Sequence, residues 1–356
     1  MSVLDRDSAA LLAQSVAIYA GRPAGSPEDH LAALHEQGWL AAALPEASGG
    51  MGFGVDAAAI IAGGLARGQI GEPFTATFLA ARVLGLAAPG SDSAKALADA
   101  GVLSALAFDE AGAAPVLANA DGVLTGTKRR VAGAEAAARL IVTATRDTQP
   151  VLVELDATAP GVDARHARRI DGGALTEISF DGAKGTIIAS GDIVPQALRQ
   201  ALAETGLVIA AELLAHCDSL RELTLEHLRT RRQFGQSLGG FQALQHKAVD
   251  MYLGALLSRS VLDHAITKAA EDLSADDLDR LAFRARARLN DTAMQHVRLS
   301  MQLLGAFGTT DESPLGPHIK RVVRLCGWLG TSAQYRARYA ALGRVATRNQ
   351  DRKVTT

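Results

Sequence analysis

The residues best suited to chemistry lie where two predicted helices meet. Arg231, Phe234 and Gly235 follow a long apolar-periodic segment, and Gln242 stands at the start of the next one. A guanidinium, an aromatic ring, a glycine turn and a carboxamide are therefore expected together. Charged and amide groups at such junctions usually have a polar partner, because burial without one is costly. We expect a ligand here, with a plain interhelical tie between Arg231 and Gln242 as the alternative.

A series of long helices must position this junction. In the first of them, Leu207, Ala210, Leu214 and Cys217 recur at the spacing of an amphipathic helix. After Val194-Pro195 the pattern stays helical almost to the end of the chain. The predicted helices are Gln196–Arg232, Phe241–Ala270, Ala275–Gly305, Pro317–Gly327 and Ser332–Arg348. They predict a C-terminal four-helix bundle over residues 194–356.

Two further segments precede this bundle. Residues 1–101 are helical by pattern, and their glycine-rich loop at 49–54 lacks the strand and the Gly-Lys-Ser/Thr of a phosphate loop. Residues 102–193 contain short apolar runs bounded by Asp-Gly, Pro and Gly-Gly, which predicts antiparallel strands and hairpins. The basic run at 165–169 is interpreted as a solvated loop. This order predicts an α+β multidomain protein, with an N-terminal helical domain, a middle antiparallel β-domain and a C-terminal bundle.

Composition narrows the classes of function. Hydrophobic residues make up 48% of the 356 residues. The formal net charge is −2, so the sequence offers neither a basic surface for nucleic acid nor a polybasic membrane anchor. The sequence begins without a secretory signal pattern, and no apolar run has membrane-spanning length. The two cysteines predict buried free thiols in a reducing compartment, and no histidine pattern predicts a metal site. We expect a cytoplasmic protein with no nucleic acid or membrane partner.

Four passages, spread in order over nearly the whole chain, resemble the acyl-CoA dehydrogenase family. Two are moderately specific: the loop with Gly38-Trp39-Leu40, Leu44-Pro45-Glu46 and residues 49–52, and the hairpin 124–128, which is similar to "L-N-G-x-K". Two are specific. Residues 230–235 followed by Phe241-Gln242 resemble "T-R-x-Q-F-G…F-Q", and residues 302–309 resemble "Q-x-x-G-G-x-G".

The resemblance implies FAD bound at a subunit interface and oxidation of the Cα–Cβ bond of an acyl-CoA. It implies that a carboxylate removes the α-proton while flavin N5 accepts the β-hydride. It further implies that one subunit's bundle holds the pyrophosphate and adenosine of FAD, while the neighbour's β-domain holds the ring. The residues that match the bundle set are Arg231, Phe234 and Gln242 at the pyrophosphate, and Gln302, Gly305 and Ala306 at the adenosine.

The positions that match the ring-binding set have lost their hydrogen-bonding groups. The family's "T-E-P-x-x-G-S-D" falls on residues 107–114, where Ala107 and Ala113 replace two hydroxyls. Its "W-I-T-N" falls on 130–133, where Arg130 and Ala132 replace the indole and another hydroxyl. Each lost hydrogen bond is worth about 0.5–1.5 kcal/mol, and the total corresponds to about two to three decades of affinity. We predict that this chain holds no flavin ring itself.

The family's catalytic base has no equivalent here. Its usual Glu position falls on Leu329, and its alternative position falls on Thr205; neither side chain can remove an α-proton. Glu204 is one residue away, which on a helix turns the side chain by about 100°. Glu212 is interpreted as a surface or interhelical pairing residue. Because loss of a positioned base costs about 10²–10⁴-fold in rate, no catalytic residue is assigned.

Three hypotheses follow. The preferred one is a half-equipped subunit of a heteromeric α2β2 acyl-CoA dehydrogenase, which shares FAD with a sister chain that carries the catalytic Glu. Its acyl-CoA substrate is by family analogy a bulky ester such as a steroid-derived one, and its electrons pass to a separate acceptor. The second hypothesis is a homomeric enzyme with Glu204 as a displaced base. The third is a non-catalytic scaffold or acyl-CoA-binding protein of the same fold.

Overall fold

The computed structural model describes residues 4–22, 27–70 and 73–354, and these residues form two compact units. The first unit contains residues 4–6, 22, 27–58 and 73–205. The second contains 7–21, 59–70 and 206–354. The units interleave along the chain, since two early helical segments belong with the late ones. The predicted three-part division at residues 101 and 193 stays a prediction.

Helices occupy the chain up to residue 100. They are α1 (Arg6–Ala20), α2 (Pro27–Glu36), a 3-10 turn at Glu46–Ser48, α3 (Val55–Arg67), α4 (Phe74–Ala87) and α5 (Asp92–Ala100). Helix α4 is buried along its whole first three turns, from Phe74 to Leu84. A largely apolar helix of this kind belongs in an interior, and its one charged side chain, Arg82, is paired with Glu204. Ser91 caps α5 by accepting a hydrogen bond from the Ala94 N–H at 3.2 Å.

A mixed, mostly antiparallel sheet follows and forms the core of the first unit. Its strands are β1 (Ser104–Ala107), β2 (Leu117–Ala118), β3 (Val123–Ala132), β4 (Arg139–Arg146), β5 (Gln149–Asp156), β6 (Val162–Arg168), β7 (Ala174–Lys184) and β8 (Thr186–Ser190). They are paired in the order β6-β7-β3-β2-β4-β5-β8, with β1 added to β4. Apolar side chains such as Leu124, Val142 and Phe180 fill one core.

The predicted β-domain is confirmed as a strand-rich segment, with two differences. Strands β1 and β2 each pair with β4 in parallel, because the chain crosses over between them instead of turning back directly. The basic run at 165–169, interpreted above as a solvated loop, lies mostly on β6, so it is a strand and not a loop, although residues 165–168 are exposed to solvent as expected. Strand β6 is an edge strand with nearly every side chain exposed, and it therefore lacks the apolar alternation by which strands are recognised.

Long helices build most of the second unit, which the chain enters again at residue 206, within α6 (Ile193–Thr230). After α6 come a short hairpin of β9 (Arg232–Gln233) and β10 (Gln236–Ser237), then α7 (Gln242–Ala269), α8 (Ala275–Leu304), α9 (Leu315–Gly327) and α10 (Ser332–Val354). Helix α8 packs against α7, α9 and α10. Ser274 caps α8 through the Asp277 N–H, and Gly305 ends it at φ 62°. The α+β fold with N-terminal helices, a middle sheet and C-terminal helices is thereby confirmed.

Both cysteines are free thiols, as expected. Cys217 is buried, and burial raises the pKa of its thiol; burial also raises the pKa of the partly buried Cys326 to about 11. Within the part of the chain that the structure describes, no helix is long and apolar enough to cross a membrane. The same residues contain no cluster of three His, Cys, Asp or Glu side chains that could hold a metal ion.

Candidate functional site

The predicted junction is a tight hairpin that connects the end of α6 to the start of α7. Strand β9 pairs with β10 in antiparallel register, and the two residues between them, Phe234 and Gly235, have φ of 54° and 83°. Two successive positive φ values define a type I′ turn, whose twist suits a hairpin. A phenylalanine in this conformation costs about 1 kcal/mol, which Gly or Asn would avoid.

Phe234 is presented to solvent. Its side chain is 88% exposed and touches Phe241 edge-on, with the ring centroids 6.2 Å apart. An aromatic side chain held in a disfavoured conformation and left in water contributes little to folding. Its placement is better explained by contact with a ligand or a partner.

Arg231 has a fixed backbone and an unengaged side chain. Its N–H donates to the His227 carbonyl at 2.9 Å and its carbonyl accepts from the Leu238 N–H at 2.8 Å. The exposed guanidinium makes no hydrogen bond or ion pair with any residue that the structure describes. Burial lowers the pKa of the His227 imidazole, and the charge of Arg231 lowers it further. His227 is therefore neutral at pH 7, and Arg231 supplies the positive charge.

The second predicted passage lies at the end of α8. Gly305 has φ 62° and ψ −140°, and no atom lies within 4 Å of the place where a Cβ would stand. Ala306 follows and is exposed in the 3-10 turn Gly305–Thr309. Gln302 is exposed, and its Oε1 accepts a hydrogen bond from Lys247 Nζ at 2.6 Å. The backbone at Gly305 is thus open to a close approach by another molecule.

The structure brings the two passages to one end of the helical bundle. The His227 ring at the end of α6 stacks on Phe307, with centroids 6.0 Å apart and the planes 9° from parallel. Lys247 of α7 binds Gln302 of α8, and beneath them Leu228, Met251 and Leu303 form a small apolar cluster. We call this surface the bundle end; it comprises Arg231, Phe234, Gln242, Gln302, Gly305 and Ala306.

The bundle end suits an elongated phosphate-bearing ligand. Arg231 can bind phosphate oxygens, the exposed Gln242 carboxamide at the start of α7 can donate or accept, and the Gly305 backbone leaves room beside it. Arg229 and Arg232 add positive charge next to Arg231. These residues fit the pyrophosphate and adenosine of a dinucleotide such as FAD.

The loop of the first unit that matches the family's ring-binding positions does not fit a flavin ring. Ala107 is fully buried in the sheet core and Ala113 is exposed, and neither offers a hydroxyl. Arg130, at φ 55°, replaces the indole and directs Nη2 and Nε to Asp109 Oδ2 at 2.6 and 2.8 Å. Asp109 Oδ1 accepts the Ala111 N–H at 2.7 Å. The loop thus closes on itself through its own charges.

A second ion pair lies beneath this loop. Lys128 is fully buried and binds the Glu110 carboxylate, with Thr143 Oγ1 as a further partner at 2.9 Å. Burial lowers the pKa of Lys128, while the hydrogen bond and the charge of Glu110 oppose that shift. We call residues 107–114 with Lys128 and Arg130 the sheet loop. The charged groups of the sheet loop are paired with one another.

At the position of the family's usual base, a rigid framework carries a leucine. Leu329 has φ 62°, and the carbonyls around it are bound by side chains of other helices. Arg286 Nη2 donates to the carbonyls of residues 325 and 328 at 2.8 and 2.9 Å, and Asn290 Nδ2 donates to those of 326 and 330. Arg338 binds the Leu329 carbonyl at 3.1 Å. These hydrogen bonds fix the backbone around residue 329, where the side chain is a leucine and offers no carboxylate.

Glu204 is fully engaged in a buried ion pair. Arg82 Nε and Nη2 donate to its two oxygens at 2.5 and 3.0 Å, and Gln200 Nε2 donates at 2.8 Å. Proton abstraction would require that carboxylate to leave all three donors. Thr205, next to it, is buried and offers only a hydroxyl. Glu212 is a buried interhelical partner of Arg321, with Oε1 2.6 Å from Nε, in line with its interpretation as a pairing residue.

Two buried polar networks in the second unit were not predicted from the sequence. His216 and His318 face each other with Nδ1 atoms 2.9 Å apart, and Gln69 Nε2 lies 3.3 Å from His318 Nε2. Asp218 binds three arginines from three helices, which are Arg67, Arg221 and Arg259. The partners are distant in sequence and carry no motif. The only available signal was a polar residue on an apolar helix face, at Glu212, His216 and Asp218.

Comparisons with known proteins identify the relatives of this chain. The family models for the acyl-CoA dehydrogenase N-terminal domain and C-terminal domain match residues 9–112 and 195–341, which together span well over half of the chain. A protein of Mycobacterium leprae described as a probable acyl-CoA dehydrogenase, fadE25, is 25% identical over 314 residues, or 81% of this chain and 80% of that protein. Acyl-CoA dehydrogenase FadE28 of Mycobacterium tuberculosis is 28% identical over 243 residues, covering 65% and 67%.

Solved structures agree with these relatives. A variant of the Tcur3481–Tcur3483 steroid ACAD is 25% identical and superposes with a TM-score of 0.82, covering 96% of this chain and 98% of that chain. One chain of the ChsE4–ChsE5 complex from Mycobacterium tuberculosis, 22% identical, has the same fold, with a TM-score of 0.83 and the same coverage. The protein therefore belongs to the acyl-CoA dehydrogenase family, whose members are oxidoreductases that generally bind FAD.

Proposed function

We propose that this chain is one subunit of a heteromeric acyl-CoA dehydrogenase and that it completes a flavin site without holding the flavin ring. Its bundle end would bind the pyrophosphate and adenosine of FAD, through Arg231, Phe234 and Gln242 and through Gln302, Gly305 and Ala306. A sister chain would bind the ring and the acyl-CoA and supply the catalytic Glu. When bound, FAD accepts the hydride from the acyl β-carbon and passes electrons to a separate acceptor.

The observation that carries this proposal is the contrast between the bundle end and the sheet loop. Arg231 has no partner among the described residues, and the Gly305 backbone is open, which is what a ligand-binding surface requires. In the sheet loop, Arg130 and Lys128 are already paired with Asp109 and Glu110. We infer from this contrast that the chain keeps one half of a flavin site and has replaced the other.

The substrate and partner classes in this proposal draw on the relatives. The Tcur3481–Tcur3483 protein is called a steroid ACAD, and ChsE4–ChsE5 is called a complex; both names join two different chains. By this analogy the substrate is a bulky acyl-CoA, such as a steroid-derived thioester, and the sister chain is a second acyl-CoA dehydrogenase-like protein.

The deciding measurement is the flavin absorbance of the chain purified alone and co-purified with a sister chain. We expect a colourless protein alone and one FAD per pair of chains in the complex. A chain that purifies alone with stoichiometric FAD would overturn the proposal. It would also reopen the homomeric alternative, which the engagement of Glu204 by Arg82 and Gln200 does not favour.

The two alternatives have separate tests in the same complex. If Glu204 were the base, Glu204→Gln would abolish α-proton exchange of the acyl-CoA while flavin stayed bound; we expect exchange to persist. If the chain were only a scaffold, Arg231→Ala would leave the flavin content and turnover of the complex unchanged; we expect both to fall.

A further inference from the structure

A cavity in the second unit lies beside the first turns of α8, whereas the bundle end lies at the last turn of that helix. Its volume is about 270 Å³, just below the range of about 300–1,000 Å³ that is typical of ligand pockets. Helices α7 and α8 each line it with side chains four residues apart, and α10 adds a tyrosine. Its lining includes His264, Lys268, Arg280, Leu281, Arg284 and Tyr339. We call this cavity the α8 pocket; its size suits a small molecule rather than a dinucleotide.

Positive charge dominates the α8 pocket. Its lining contains three cations, Lys268, Arg280 and Arg284. Asp277 is the one carboxylate among the described lining residues. It is already engaged, since its Oδ1 accepts from Arg280 Nη1 at 2.9 Å and its Oδ2 accepts from Ser274 Oγ at 2.6 Å. The charges of Asp277 and Arg280 therefore cancel, and those of Lys268 and Arg284 remain.

Neither remaining cation has a strong partner within the described chain. Arg284 is exposed and makes no hydrogen bond or ion pair with any residue that the structure describes. Lys268 binds the Glu271 carboxylate at 2.8 Å, but the two side chains are 46% and 53% exposed. An ion pair in solvent contributes little, so Lys268 can bind another anion at small cost. The exposed His264, one turn before Lys268, adds a ring nitrogen that can donate a hydrogen bond.

The α8 pocket also has an apolar side. Leu273 and Leu281 are half-buried in its lining, and the side chain of Tyr339 is 45% exposed. An exposed aromatic ring beside aliphatic side chains offers a surface to another ring or to a short hydrocarbon chain. A ligand that used both sides of the pocket would carry a compact anionic group on an apolar body, whereas a free inorganic ion would use one side only.

We propose that the α8 pocket binds a phosphate monoester of a small aromatic or aliphatic alcohol. Arg284 and Lys268 would bind the phosphate oxygens, and the body of the ligand would lie on Leu281 and Tyr339. Two cations in one pocket suit a phosphate dianion better than a singly charged carboxylate. Arg284 stands 18 residues before Gln302 on α8, about 27 Å along the helix axis, so the pocket is separate from the bundle end. The proposal adds a second ligand site and does not depend on the sharing of FAD.

Isothermal titration calorimetry of the full chain with phenyl phosphate tests this proposal, with inorganic phosphate and benzoate as comparison ligands. We expect phenyl phosphate to bind at one site, at least ~10-fold more tightly than either comparison ligand, because phosphate lacks the apolar body and benzoate lacks the second charge. Arg284→Ala should weaken the binding of phenyl phosphate about 10-fold. Arg298→Ala is the matched control, since Arg298 is an exposed arginine later on α8 and outside the pocket.

Tyr339→Ala separates the two sides of the pocket. It should weaken the binding of phenyl phosphate about 3–10-fold and leave that of inorganic phosphate unchanged. Circular dichroism and the melting temperature verify that each variant is folded. The proposal is overturned if phenyl phosphate does not bind at millimolar concentrations, if benzoate binds as tightly, or if both Arg284→Ala and Lys268→Ala leave binding unchanged. Because no flavin or sister chain takes part in these titrations, such a result would not bear on the proposed function.

Discussion

The bundle end and the sheet loop differ in whether their charged side chains form ion pairs within the chain. At the bundle end, Arg231 stands in solvent without a partner among the described residues. In the sheet loop, Arg130 and Lys128 each bind a neighbouring carboxylate. Charges left free are available to a ligand, whereas charges paired within the chain stabilise the fold. Removing a paired charge should therefore cost stability, and removing a free one should cost binding.

The largest expected effect is in the sheet loop. Glu110→Gln removes the carboxylate that is hydrogen-bonded to the fully buried Lys128, which leaves the ammonium group with hydrogen bonds to Thr143 and a backbone carbonyl and with Asp109 as the remaining nearby carboxylate. Breaking a buried pair in this way costs about 3–5 kcal/mol of unfolding free energy. Urea denaturation of the chain measures it. In the Lys128→Met background Glu110→Gln should cost far less, and an equal loss there would contradict the assignment.

Acid should destabilise the second unit through His318. Burial lowers the pKa of His318 from 6.5 to about 4, and burial together with the neighbouring His318 also lowers the pKa of His216 well below its usual value. The unfolded chain therefore binds more protons than the folded one below pH 6.5. The unfolding free energy should fall between pH 6.5 and about 4, by about 3 kcal/mol from His318 alone.

Chemical denaturation across that pH range measures this loss. His318→Gln should flatten the dependence, whereas the same change at the exposed His264 should leave it in place. A pH dependence that is unaltered by His318→Gln would show that the imidazole pair is not its source.

At the bundle end, Arg231→Ala should weaken FAD binding by the assembled complex about 10–100-fold, because an arginine–phosphate hydrogen bond is worth about 1.5–3 kcal/mol. Its melting temperature as a lone chain should not change. Flavin fluorescence titration measures the affinity. Arg168→Ala, at an exposed arginine of β6 outside the bundle end, is the control, and the comparison between the two regions fails if Arg231→Ala destabilises the lone chain instead.

The smallest expected effect tests the exposed pair of the sheet loop. Asp109→Asn weakens the contact with Arg130, whose side chain is more than half exposed, so the cost should be about 0–1 kcal/mol. The chain alone should still bind no flavin, since Ala107 and Ala113 supply no hydroxyls. Thermal melting and flavin absorbance of this one variant check both statements. Flavin binding by the Asp109→Asn chain would mean that the ion pair alone had blocked the site.

Much of this architecture could be predicted from local patterns. The 3.6-residue periodicity around Leu207 and Leu214 predicts α6, and the glycine-bearing segment after Arg231 predicts a turn before α7. The β9–β10 hairpin within that segment was not predicted. The edge strand β6 could not be predicted, because its exposed side chains have no apolar alternation. The His216–His318 pair joins residues that are 102 positions apart, and Arg130 finds Asp109 across 21. Such pairings depend on tertiary packing, which a single sequence does not display.

The framework around Leu329 has a consequence for the history of the chain. Side chains of Arg286, Asn290 and Arg338 still fix the backbone there, so a glutamate at 329 would require one substitution and no new support. Restoring a ring pocket would require changes at Ala107, Ala113, Arg130 and Ala132, the first of them inside a packed core. Regaining a carboxylate at the base position would therefore take fewer substitutions than regaining a pocket for the flavin ring. In a heteromeric complex of the kind proposed, the missing flavin pocket would therefore fix the dependence on a sister chain more firmly than the missing base.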